Sequence, residues 1–212
     1  MRAVLKQCAA GVVSVGMLFF AGCNSEPTPA ASDKPAAPTV AAPPELVSAK
    51  TAFYPMYKSA VSWASDVVLI AIKAQSVPGF TNKDGKAAMW EATWASPSLH
   101  AYRTDTYAIV TKLPDIHKGA SAGMKQPWAG ATREAMPIEV SNFATDSDVA
   151  YKAAAADAAE FLKKNPDKPL TAVELGNPAR FHGPVWYMSW GDAKSGGYVE
   201  VVDATTGKVL KK

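Results

Sequence analysis

The last stretch of the chain carries the clearest alternation of apolar and polar positions. Trp186, Met188 and Trp190 fall on one face of an extended segment, with Tyr187 and Ser189 on the other. A Gly-Asp-Ala-Lys-Ser-Gly-Gly break follows, then Tyr198-Val-Glu-Val-Val-Asp, then a Thr205-Thr-Gly-Lys turn into Val209-Leu210. Period-two alternation bounded by Gly, Asp and Ser predicts half-buried antiparallel strands. The same layout stands earlier at a constant offset of 96, where Trp90, Trp94 and Tyr102 take the places of Trp186, Trp190 and Tyr198.

Helical periodicity precedes each strand group. In Glu45–Ser65 the residues Leu46, Ala49, Phe53, Met56, Ala60 and Trp63 recur at three- and four-residue steps, with Pro55 predicting a kink or a restart. Asp148–Lys164 places Tyr151, Ala154, Ala155, Ala158, Phe161 and Leu162 on one face, with Ser147 or Asp146 as the N-cap and Asn165-Pro166 as the stop. Val67–Ala74 is short and β-branched and predicts a strand, although its composition also fits a helical continuation. Asn82-Lys-Asp-Gly is turn chemistry. Ala87–Ala95 and Ala101–Thr111 form a strand pair through Ser96-Pro97-Ser98, and Pro169–Leu175 adds a strand to the later group. Between them, Lys112–Ser147 is broken by Gly119, Gly123, Pro127, Gly130 and Pro137, and predicts an ordered connection with one strand near Ile138–Phe143. The expected fold class is therefore α+β: two repeated halves, residues 45–111 and 147–212, joined by 112–146, each a helix packed on an antiparallel sheet.

The N-terminus belongs to neither half. Arg2 and Lys6 precede the apolar run Ala9–Ala21, which is shorter than the roughly 20 residues that span a bilayer as a helix. Phe20-Ala-Gly-Cys23, followed by Asn24, resembles a bacterial lipoprotein lipobox, with Phe20 where Leu is usual. An ordinary signal peptide or a short anchor is the alternative. The resemblance implies that residues 1–22 are a signal peptide and that Cys23 becomes the acylated N-terminus. Asn24 in place of Asp resembles the pattern sorted to the outer membrane of two-membrane bacteria, facing the periplasm. Residues 23–44 then form a linker with six prolines among alanines, extended at about 3 Å per residue.

Charge and composition narrow the function. Losing Arg2 and Lys6 takes the formal charge from +3 to +1, which argues against a nucleic-acid partner. With Cys8 gone and Cys23 acylated, no thiol remains for a disulfide, a nucleophile or a metal. His100, His117 and His182 have no ligand spacing, so neither metal nor cofactor is expected. No Gly-x-Ser-x-Gly elbow, His-Glu-x-x-His or phosphate-binding loop occurs, so an enzyme is not expected. The nearest approach to catalytic chemistry is the carboxylate group Asp146, Asp148, Asp157 and Glu160, explained more simply by capping and a solvated helix face. The paired tryptophans share a face and read as core against an Ala-rich helix, with an aromatic platform for sugar or peptide as the rarer reading. The stretch from His117 to Gly130 is the candidate binding segment, with Lys118 and Lys125 for charge and Trp128 for stacking. Its simpler reading is a loop packed on itself by Met124 and Trp128, and Arg133 and Glu134 read as a surface pair.

Three features together resemble a PepSY domain: Ala-Tyr-Lys-Ala-Ala at 150–154, the strand Pro184-Val-Trp-Tyr-Met-Ser-Trp, and the ending Tyr198-Val-Glu-Val-Val-Asp-Ala-Thr-Thr-Gly-Lys-Val-Leu. In the last, Gly207 is expected in the left-handed conformation that the turn needs. The first half is a more diverged echo that lacks the Asp-x-x-x-Gly turn. The resemblance implies an α+β module that binds or inhibits a peptide or protein rather than catalyses. The expected protein is thus a lipid-anchored envelope binding module, held to the membrane by its anchor. The alternatives are an envelope hydrolase using paired carboxylates, or a purely structural component.

Overall fold

The computed structural model describes residues 44–211; the expected signal peptide, Cys23 and nearly all of the expected linker lie outside them. The order of elements is α1 (Ala49–Trp63), β1 (Val68–Gln75), β2 (Met89–Ser96), β3 (Ala101–Ala108), β4 (Gly119–Ser121), β5 (Gln126–Pro127), α2 (Ser147–Asp157), α3 (Ala159–Lys164), β6 (Leu170–Gly176), β7 (Val185–Trp190) and β8 (Tyr198–Asp203). The fold is α+β. All named strands join one antiparallel sheet in the order β4-β3-β2-β1-β6-β7-β8, with β5 also on β3.

The expected helices and strands form with small shifts, and the differences have local causes. Pro55 does not break α1, which runs through it. The proline removes only the amide that would bond to Thr51, an exposed residue whose carbonyl can turn to water. The second helix is interrupted at Ala158 and continues as α3. The strand expected at 138–143 is a single 3₁₀ turn over Val140–Asn142, and only Ile138 bridges to Leu69. Gly207 has φ +73°, the left-handed turn position expected of it.

Tyr102 and Tyr198 differ in facing. Tyr198 pairs with Trp190 and shares its face, whereas Tyr102 pairs with Ala95, and Arg103 takes the place opposite Trp94. The loop before β8 is longer than the one before β3, and a one-residue change of register moves every side chain to the other face.

One face of the sheet carries the helices. Trp90, Trp94, Trp186 and Trp190 are buried in a single core with Phe53, Met56, Ala150, Ala154 and Phe143, so the aromatic-platform reading is overturned. The alanines of α2 leave room for these rings. Trp94 packs on Phe53 and Tyr57 of α1, and Trp190 on Tyr151 of α2. Trp90 and Trp186 meet edge to face at 6.5 Å, with Phe143 against both Phe53 and Trp186.

The backbone link at the centre of the sheet is short: β1 and β6 are paired only at Ile72↔Leu175 and Lys73↔Glu174. The helix starts reinforce it. Ser48 at the N-cap of α1 makes no side-chain cap bond, and the first amides of the helix are bonded from the start of α2 instead. Ala49 N–H donates to Ser147 Oγ at 2.9 Å, and Lys50 N–H to Asp146 Oδ1 at 3.0 Å. The same Asp146 oxygen accepts from Ser147 N–H at 2.7 Å, capping α2. One carboxylate thus serves the positive ends of two helices. Asp146→Ala is expected to cost about 1–3 kcal/mol, and Asp146→Asn less because its amide oxygen can still accept. Urea unfolding checks this; equal stability of all three proteins would contradict the bridging role.

Candidate functional site

Residues 119–128 lie as a strap along β3. β4 pairs with Thr106 and Tyr107, β5 pairs with Ala101 and Tyr102, and Trp128 N–H donates to His100 O at 2.8 Å. Tyr102 OH donates to Gln126 Oε1, so the tyrosine turned away from the helices fastens the strap. Midway, Gly123 N–H donates to Asp105 Oδ1 at 3.2 Å. A Cβ on Gly123 would stand 2.0 Å from Thr104 O, so only glycine permits this approach.

Beneath the strap is a buried ion pair. Arg103 Nη2 reaches Asp105 Oδ2 at 2.9 Å and Ser59 Oγ at 2.8 Å, with the guanidinium 4.9 Å over the Trp63 ring. Asp105 is wholly buried. Burial pushes its carboxyl above the usual range, against the opposing pull of Arg103.

The three candidate binding residues do not converge. Lys118 stands by Ala108 at one end of β3, while Trp128 stands by His100 at the other, eight residues and about 26 Å away along the strand. Lys125 lies near Trp128, beside the Tyr102–Gln126 pair. Both lysines are exposed and Trp128 is half-buried. Met124 does not pack the segment on itself, being 85% exposed, and Leu113 before the strap is 78% exposed. The strap is held by the sheet edge instead, and it presents apolar and cationic side chains outward.

The other candidates fall into structural places. Asp146 is engaged in capping, Asp148 is in the first turn of α2, and Asp157 and Glu160 are exposed. Glu134 pairs with Arg180 at 3.4 Å rather than with Arg133. All three histidines are exposed, and His100 takes a left-handed turn position. Among the described residues, no group of three or more His, Cys, Asp or Glu is arranged to hold a metal ion.

The sequence reading missed a cleft of about 430 Å³ where the Asn82–Asp84 turn faces α2, α3 and the start of β6. Its apolar wall includes Tyr151, Leu162, Leu170 and the edge of Trp190, and Lys83, Asp84 and Lys168 stand around it. The turn is immobilised by Gly85, at φ +72°, where a Cβ would strike Ser147 O at 2.3 Å and Tyr151 Cβ at 2.8 Å. Burial, and then the Asp84 carboxylate, push the Tyr151 phenol up. Lys168 is also placed: its Nζ donates to Ser195 O, and its stem lies where a Cβ on Gly191 would be. The only local signal was the Asn-Lys-Asp-Gly turn; Lys168 sits in a segment that reads simply as a helix stop.

Two measurements probe this region. Gly123→Ala should lift the strap, speeding amide exchange over residues 119–128 by about tenfold or more while leaving β7 protected. Unchanged exchange would show that the strap tolerates the clash. Separately, Tyr198 donates to Glu200, and this bond, aided by burial, pushes its phenol up to about 12. The folded value exceeds that of an unfolded tyrosine, near 10, so this stabilisation is complete below pH ~10 and is lost between about 10 and 12. Glu200→Gln should bring the phenolate absorbance transition down toward 10; an unchanged transition would refute the assignment.

Comparison of the chain with protein-family models, with curated proteins and with solved structures gives no match.

Proposed function

We propose that this protein is a lipid-anchored, non-catalytic binding module of the cell envelope, built of two PepSY-like halves and acting on a peptide or protein partner. The observation that carries the binding reading is the strap. Its backbone is pinned to β3 at both ends and at Gly123, while Met124 and Lys125 project outward beside Trp128. Exposed apolar side chains on a fixed backbone cost little ordering entropy on association, which suits a docking surface.

Two corresponding bonds support the reading as repeated halves. Trp90 Nε1 donates to Val47 O and Trp186 Nε1 to Thr145 O, each 2.9 Å, and each acceptor stands two residues before the start of its helix. The helix-strand-strand-strand order around the β1–β6 junction fits the same reading. The hydrolase alternative is weakened because Asp146, its leading carboxylate, is bonded to two helix amides.

The anchor reading rests on Phe20-Ala-Gly-Cys23 and places the module at the outer membrane, facing the periplasm. No described helix is long and apolar enough to cross a membrane. Metabolic labelling with a clickable palmitate analogue should mark the native chain and not Cys23→Ser; labelling of both would refute acylation at Cys23. For the binding reading, the tagged full chain is cross-linked in its native envelope beside a Lys125→Ala/Trp128→Ala variant. A single partner captured by the first and lost with the folded variant is expected. Equal capture by both would remove the strap from the reading.

A further inference from the structure

We infer that the cleft between the Asn82–Asp84 turn and α2–α3 is a binding site for the C-terminal end of a short apolar peptide, its free carboxylate held by Lys168 and Lys83. This site is separate from the strap and depends on no part of the reading proposed for it.

The first argument is charge. Lys168 is fixed in place, its Nζ bonded to Ser195 O with its remaining protons free to donate, and its stem fitted against Gly191. Placing a lysine this way loses side-chain entropy that a solvated surface lysine keeps. Neither Lys168 nor Lys83 forms an ion pair with a carboxylate among the described residues. An anionic group at this rim would meet the two positive charges of Lys83 and Lys168 against the one negative charge of Asp84.

The second argument is the wall behind them. Tyr151, Leu162 and Leu170 offer an apolar surface beside the lysines, and about 430 Å³ is room for a side chain or two. The occupant is therefore apolar next to its carboxylate. Rigidity is supplied by Gly85, which locks the Lys83–Asp84 turn on α2, so little ordering is left for binding to oppose.

The third argument separates a peptide from a simple fatty carboxylate. The cleft continues past Thr81, Asn82 and Leu170 into a smaller groove bounded by Ser76, Phe80 and Thr171. This run is mostly polar, with Phe80 and Leu170 its apolar members. An aliphatic tail would cover Asp84, Asn82 and Thr81 without giving them hydrogen bonds, a desolvation cost that peptide amides avoid. Asp84 can accept from a peptide N–H while the terminal carboxylate lies on Lys168.

The test uses the full chain, isotope-labelled in detergent micelles, and follows its amide resonances. Three probes are added in turn: acetyl-Ala-Ala-Leu with a free carboxylate, the same tripeptide as its amide, and hexanoate. The acid is expected to shift the amides of Asp84, Tyr151 and Gly191. The amide and hexanoate should bind at least about tenfold more weakly, since one loses the charge and the other the peptide bonds. Lys168→Gln should weaken the acid by a similar factor, and so should Lys83→Gln, read independently should either variant fold poorly. Lys163→Gln, in the exposed last turn of α3, should change nothing. The inference is overturned if acid and amide bind equally, if hexanoate matches the acid, if the shifts arise elsewhere, or if the acid does not bind.

Discussion

One carboxylate stands between two helix starts. Asp146 accepts from the first amide of α2 and, together with Ser147, from the first two of α1. Two helices that met at their positive ends would repel, and each would leave unbonded amides in a buried place. The negative charge removes both difficulties at once. This matters because the sheet beneath is joined at its centre by only two residue pairs. The edge-to-face contact of Trp90 and Trp186, with Phe143 wedged beside it, completes the junction on the helix side. The exposed Lys73–Glu174 pair at 3.7 Å on the other face adds little by comparison.

Around that junction the sheet has two ends that are finished differently. On β3 the strap bonds along the edge and covers the buried Arg103–Asp105 pair. On β8 the Thr-Gly turn brings Val209 back to bridge Val202, and Leu210 N–H to Val201 O. Both devices occupy edge groups that would otherwise be free to pair with another chain. The strap is the longer of the two and carries the outward-facing methionine, lysine and tryptophan. The cleft lies instead between the turn before β2 and the second helix pair, so it draws on sequence from both sides of the junction.

The helices, six of the longer strands and the turn at Gly207 were readable because each depends on its own residues: periodicity of 2 or 3.6, a cap, a stop, a glycine at positive φ. Trp90, Trp94, Trp186 and Trp190 were legible as a core for the same reason, since one face of a strand is a local property. Of the kink or restart that Pro55 left open, the restart does not occur, and the exposure of Thr51 that permits this is not local. The facing of Tyr102 was not readable, because it depends on pairing register, which the loop before β3 sets differently from the longer one before β8.

The candidate binding segment was legible as a stretch but not as a site. Glycines, lysines and Trp128 marked it, yet Lys118 and Trp128 lie at opposite ends of β3 because the strap runs extended along it. The chain by itself determined its α+β class and its core tryptophans, because these rest on composition and short-range spacing. Tertiary structure alone decided that Asp146 would cap a helix 96 residues away, that Asp105 would hold Gly123, and that Lys83, Tyr151 and Lys168 would share a cleft. Each of these joins residues distant in sequence, and only the folding of the sheet and helices upon one another brings them within bonding reach.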